Sequence, residues 1–129
     1  MCIRDRYEVI PIPLHERYFH LDLVMSAPRE GLIMVAPEAF VDGVPSYFDD
    51  WDRIEVTGDQ AMHACLNGLP VDPANYVLGN NKRDDMAWMA DLIEGKGITV
   101  HMVWFDEHNR REGSIRCATQ QLLRRPDHA

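Results

Sequence analysis

Cysteine is scarce in this chain. There are three, Cys2, Cys65 and Cys117, an odd number at wide spacings with no CxxC pair. That excludes a disulfide framework and a zinc ribbon and makes reduced, cytosolic thiols the expected state. Cationic residues are also short: 13 Lys and Arg stand against 21 Asp and Glu, a formal charge of −8. Nucleic-acid and anionic-membrane binders need a basic surface, so neither partner is expected. A soluble cytoplasmic protein is expected instead, and a cationic small substrate is mildly favoured. Apolar runs stop far short of the roughly 18 residues of a spanning helix; the longest is GLIMVAP at 31–37. No Walker A or GxGxxG motif occurs, which leaves nucleotide binding without support.

What is present is the composition of one globular domain. The 129 residues are 46% hydrophobic and 26% charged, enough to bury a core without covalent staples. The first six residues, MCIRDR, lead abruptly into the strand-like YEVIPIPL. They have the look of a translated sequencing adapter. Residues 1–6 are therefore expected to be a non-native lead, 7–129 the native domain, and the gene to extend upstream.

Periodicity predicts strands over 7–14, 16–27, 32–37 and 52–57, with a short helix near 46–51. It then predicts strands over 63–72 and 76–79, a helix over 80–97, and strands over 98–105 and 114–123. Asn81 or Asp84 would cap that helix and Gly95 and Gly97 would end it. Met86, Trp88 and Met89 read as its core stripe. The order strand, strand, helical segment, strand thus occurs twice, at an offset of about 44 residues. The fold class is α/β.

Two patterns could carry chemistry. His20-Leu21-Asp22 lies in a predicted strand, where alternate side chains share a face and could together hold a small cation. An ordinary histidine near an ordinary acid has the same spacing. The overlapping HERYFH is not a zinc motif, because its histidines are five apart rather than four; no metal is expected. The second pattern is EGSIRCATQQLLRR at 112–125, which holds Cys117. Free cysteine is usually core filler, and packing alone would explain it. Arg116 beside it would favour the thiolate, although neighbours on a strand face opposite ways. Cys65 reads as core, FDDWD at 48–52 as a solvated acidic loop, and LLRRP as a basic end too short to bind nucleic acid.

Taken in order, a His-x-Asp is followed some 95 residues later by Cys-Ala-Thr after a glycine-containing loop. This resembles the C-terminal part of the guanidino-group-modifying pentein superfamily, and within it the glycine and inosamine-phosphate amidinotransferases. FHLD at 19–22 is similar to that family's His-x-Asp motif. EGSIRCAT, with Arg124 and Arg125, is similar to its glycine-rich loop ending in His-Cys-Ala-Thr or His-Cys-Trp-Thr, often followed by two arginines. CLNGLPVD at 65–72 resembles a segment with an asparagine, here Asn67, before a strand. The resemblance covers nearly everything from Tyr7 onward. It implies a partial pentein-type α/β propeller, about two ββαβ blades of five, and the doubled element order agrees.

The resemblance implies Cys117 as nucleophile and His20 as general acid and base, with Asp22, Asn67 and Arg116 binding substrate. It implies no metal or organic cofactor. The partners it implies are an arginine-like guanidino donor and an amine acceptor, and it is compatible with a homodimer of a longer parent. Two departures bear on substrate choice and activity: Arg116 stands where the family has histidine, and Glu112-Gly113-Ser114 where it has glycines. In the family, the acid that orients the histidine lies upstream of His-x-Asp, so this chain alone is expected to be inactive. Two blades of five would leave apolar faces open, so it is also expected to be marginal or to self-associate. A guanidino-group hydrolase of the arginine deiminase, agmatine deiminase or dimethylargininase type remains an alternative. So does a non-catalytic α/β scaffold in which Cys117 is only core.

Overall fold

A computed structural model describes residues 7–106 and 113–122. Leu32-Ile33-Met34-Val35 is an unbroken apolar run, and all four side chains are buried. Such a run suits the centre of a sheet covered on both faces. It forms β2 (Leu32–Val35), with β1 (Met25–Arg29) antiparallel on one side and β3 (Asp52–Glu55) parallel on the other. Gly31 turns the hairpin at φ +85°, a conformation open to glycine at little cost. A parallel partner requires a crossover. Here the crossover holds two 3₁₀ turns, Pro37–Ala39 and Ser46–Phe48, and a cluster of Tyr47, Phe48 and Trp51 with ring centroids 4.9 to 5.9 Å apart.

The second unit repeats this plan. β4 (Leu69–Asp72) and β5 (Asn75–Asn80) form a hairpin, α3 (Ala87–Glu94) crosses over, and β6 (Thr99–Trp104) pairs parallel to β5. In the turn, Ala74 N donates to Asp72 Oδ1 at 2.8 Å. Met89, Ala90 and Ile93 of α3 are buried, and so is Met86 at its N-cap. Gly97, at φ +81°, lets the chain leave the helix. The doubled order is therefore observed, with 3₁₀ turns replacing a helix in the first crossover.

Several expected elements differ. Residues 7–14 supply only an isolated bridge, Leu14 to Phe40. The strand expected over 16–27 begins at Met25 and is preceded by one helical turn, α1 (Leu21–Val24). The strand expected over 63–72 begins at Leu69. The long helix starts at Ala87, not 80, because Asn81 Oδ1 accepts from Arg83 N and Asp84 N, both at 2.9 Å, and Asn80 Oδ1 accepts from Met86 N at 3.0 Å. These side chains satisfy the backbone outside a helix. Trp88 sits 36% exposed, so it is not part of the buried stripe. α2 (Gly58–Met62) was not expected, yet Thr57 and Gln60 form a reciprocal capping box at its start. Gly58 N also donates to Glu38 Oε1.

The two units share one core, in which Leu32 to Val35 of the first join Tyr76, Leu78, Met86 and Met89 of the second. Polar links reinforce it: Ser26 Oγ lies 3.3 Å from Tyr76 OH, and Lys96 Nζ donates to Asp52 Oδ2 at 2.7 Å. The acidic segment around Asp52 is thus partly ion-paired. Among the described residues, no helix is long and apolar enough to cross a membrane.

Candidate active site

Leu23 and Val24 are adjacent and both buried, which a half-exposed strand cannot arrange and a helical turn can. α1 accordingly replaces the expected strand. His20 is its N-cap residue, with extended backbone at φ −137° and ψ 145°. Its carbonyl accepts from Leu23 N at 3.2 Å, while its ring is exposed and makes no capping hydrogen bond. Asp22 lies in the helix's first turn and is half-buried. The two side chains therefore do not share a strand face, and that expectation is corrected. They do line a common depression of about 400 Å³, with Leu21, Met25, Ser26 and Ala27.

The segment 113–122 is not a strand either. It wraps as a turn: Ala118 N donates to Ser114 O at 3.1 Å and Thr119 N to Arg116 O at 3.2 Å. The turn buries Ser114 and Ile115 and exposes Cys117. Gly79 of β5 makes room for it, since a Cβ there would collide with Ser114 Oγ. The result is a contact across 95 residues: Cys117 Sγ lies 3.8 and 3.7 Å from the two carboxylate oxygens of Asp22. At this range a thiol donates a weak hydrogen bond to a carboxylate. Arg116 is half-buried, and its Nη1 donates to Thr119 O at 3.4 Å. Glu112, Arg124 and Arg125 lie outside the described residues.

Asn67, fully buried, joins the two halves of the site. Its Nδ2 donates to Asp22 O at 3.0 Å. Its Oδ1 accepts from Ser114 N at 3.0 Å and Cys117 N at 3.2 Å. Its backbone carbonyl accepts from Arg116 N at 3.1 Å. On either side of it, Gly68 N donates to Tyr76 OH at 3.1 Å, and that hydroxyl donates to Leu66 O at 3.3 Å. Gly68 itself has no space for a side chain against the Tyr76 ring. Tyr76 carried no functional signal in the sequence. Its position within a strand and one residue after Asn75 hides a contact that bends back to residues 66–68.

The two described thiols differ sharply. Cys65 is buried, and burial pushes its thiol up to about 12, so it stays neutral. Cys117 is exposed beside a carboxylate. Bringing a thiolate next to a carboxylate is unfavourable unless a cation lies near both. A planar cation with several N–H donors meets that need and suits the carboxylate's geometry. Among the described residues, no three His, Cys, Asp or Glu side chains converge as metal ligands.

No family model matches the chain. Over 120 residues it is 25% identical to the uncharacterized protein YkgA of Bacillus subtilis (strain 168), an alignment covering 92% of this chain and 40% of that protein. Among solved structures it is similar to SxtG, an amidinotransferase from Microseira wollei in the saxitoxin biosynthetic pathway. That match has a TM-score of 0.78 at 21% identity and covers 98% of this chain and 39% of SxtG. It is also similar to the inosamine-phosphate amidinotransferase StrB1 from Streptomyces griseus, with a TM-score of 0.68 at 23% identity over 87% of this chain and 34% of StrB1. The chain has the fold seen in these two amidinotransferases and spans about two fifths of the length of YkgA and SxtG.

Proposed function

We propose that this chain is the cysteine-bearing part of an amidinotransferase-like enzyme of the pentein type. The enzyme would move an amidino group from an arginine-type donor to an amine through a covalent cysteine intermediate. One observation carries the reading: the exposed Cys117 Sγ lies 3.7 Å from a carboxylate oxygen of Asp22, a residue far away in sequence. The fold shared with SxtG and StrB1 supports it.

The chemistry follows from these groups. Asp22 binds the guanidinium through paired N–H···O contacts and brings its central carbon to the thiolate. A C–S bond forms, the carbon–nitrogen bond to the donor's amine breaks, and His20 gives that amine its proton. The acceptor amine then attacks the S-bound amidino carbon, His20 takes up its proton, and the C–S bond breaks. The guanidinium charge also offsets the repulsion between thiolate and carboxylate. Arg116 serves as a further substrate contact, because its 3.4 Å bond to Thr119 O is long and readily exchanged for a substrate carboxylate. The parent acts in the cytoplasm, without a cofactor, and the 129-residue chain does not turn over alone.

Mass mapping of Cys117 after treatment with 2-chloroacetamidine tests this, with and without arginine. Arginine is expected to slow modification of Cys117 and leave Cys2 unaffected. Equal rates would favour the non-catalytic scaffold. Turnover of arginine and glycine by this chain would refute its inactivity, and release of ammonia or an alkylamine in place of transfer would identify a hydrolase.

A further inference from the structure

We infer that Asn67 is the positioning residue of this site, a two-sided clamp that sets the distance between Cys117 and Asp22. The inference rests on the functional reading above and assigns Asn67 a role other than substrate contact. The hydrogen bonds of Asn67 among the described residues go to backbone. One edge of its amide holds the Asp22 carbonyl, and the other holds the amides of Ser114 and Cys117. Its own carbonyl takes the Arg116 amide between those two. Both reacting elements are short: α1 is a single turn and the cysteine segment a turn with no strand partner. Neither lies within a sheet, and Asn67 hydrogen-bonds to both.

Asparagine fits this task for a specific reason. The site needs one donor toward a carbonyl and one acceptor toward two N–H groups, on a single planar group within a buried space. Only one orientation of the amide satisfies all three partners. Aspartate would keep the acceptor but set a second acceptor against the Asp22 carbonyl. Alanine would leave a carbonyl and two N–H groups without that partner. The anchor is itself held on both sides, since the Tyr76 hydroxyl ties Leu66 O and Gly68 N.

Two readouts on the full chain test this. Amide hydrogen exchange is measured at Ser114 and Cys117, and the Cys117 alkylation rate with 2-chloroacetamidine is divided by that with 2-chloroacetamide. In the wild type both amides are expected to be protected, and the ratio to exceed about 10, since a charge-assisted contact favours the amidine. Asn67→Asp is expected to keep that protection yet lower the ratio roughly fivefold or more, because the thiol and Asp22 lose register. Asn67→Ala is expected to lose both. A merely structural residue would move both readouts together. Free exchange of the two amides in the wild type, or an unchanged ratio in Asn67→Asp, overturns the inference. If Asn67→Ala does not fold, the wild type and Asn67→Asp still decide. A wild-type ratio near one would sink the guanidinium reading, while amide protection would still show that Asn67 holds the loop.

Discussion

Removing the Tyr76 hydroxyl should destabilise the chain well beyond the loss of one atom. The hydroxyl has one proton, which goes to Leu66 O at 3.3 Å. Its oxygen accepts from Gly68 N at 3.1 Å, so the contact with Ser26 Oγ at 3.3 Å has serine as donor. The ring is fully buried, so Tyr76→Phe leaves the Gly68 N–H and Leu66 carbonyl without that partner and without water to replace it. Each such group costs about 1–3 kcal/mol, which places the variant roughly 2–6 kcal/mol below the wild type. With a urea m-value of about 2 kcal/mol/M, the midpoint should fall by about 1–3 M. Ser26→Ala should cost less than about 1 kcal/mol, because the hydroxyl keeps its two backbone partners. Urea titration followed by far-UV circular dichroism measures both. A Tyr76→Phe midpoint within about 0.3 M of the wild type would refute the reasoning.

Gly79→Ala should cost about 1–3 kcal/mol and release the cysteine turn, since its Cβ meets Ser114 Oγ. Hydrogen exchange should then rise at Ser114 and Cys117 while β2 stays protected, and unchanged exchange would argue against the contact. Alkali should also unfold the chain. Burial raises Tyr76 from 10.0 and Cys65 from 9.0, each to about 12. Both groups therefore contribute stability that is complete below about pH 9 and is lost as pH rises toward 12. In that window each can remove up to about 1.4 kcal/mol per pH unit. Urea midpoints measured between pH 8 and 11 should fall, Cys65→Ala should delay the onset, and a flat profile would contradict the assignment.

The central strands were readable because burial on both faces leaves an apolar run. Leu32 to Val35 show it in full, while in β5 Tyr76, Leu78 and Gly79 are buried and Val77 is half-buried; the doubled order followed from the spacing between them. Short elements were not readable. Phe19, Leu21 and Leu23 alternate like a strand, but Phe19 is 63% exposed, and the buried pair is Leu23-Val24. Ile115, Cys117 and Thr119 alternate likewise, yet Ser114 beside Ile115 is also buried and Cys117 is exposed. Both misreadings fall at the candidate site, where the chain folds around Asn67 rather than into a sheet. Asn67 itself was visible only through the family resemblance, as an asparagine before a strand that would bind substrate. What local pattern could not show was that its partners would be Asp22 and Cys117.

The central claim is that Asp22 and Cys117 form one guanidinium-binding site. It is tested most directly by Asp22→Asn, with Cys117 alkylation by 2-chloroacetamidine compared with that by 2-chloroacetamide. The replacement is nearly isosteric; it removes the charge and turns one acceptor oxygen into an N–H donor. The amidine preference at Cys117 should fall by about tenfold or more, the effect of losing a charge-assisted pair, while the rate with the neutral reagent holds or rises. An amidine preference equal in Asp22→Asn and the wild type would contradict the claim.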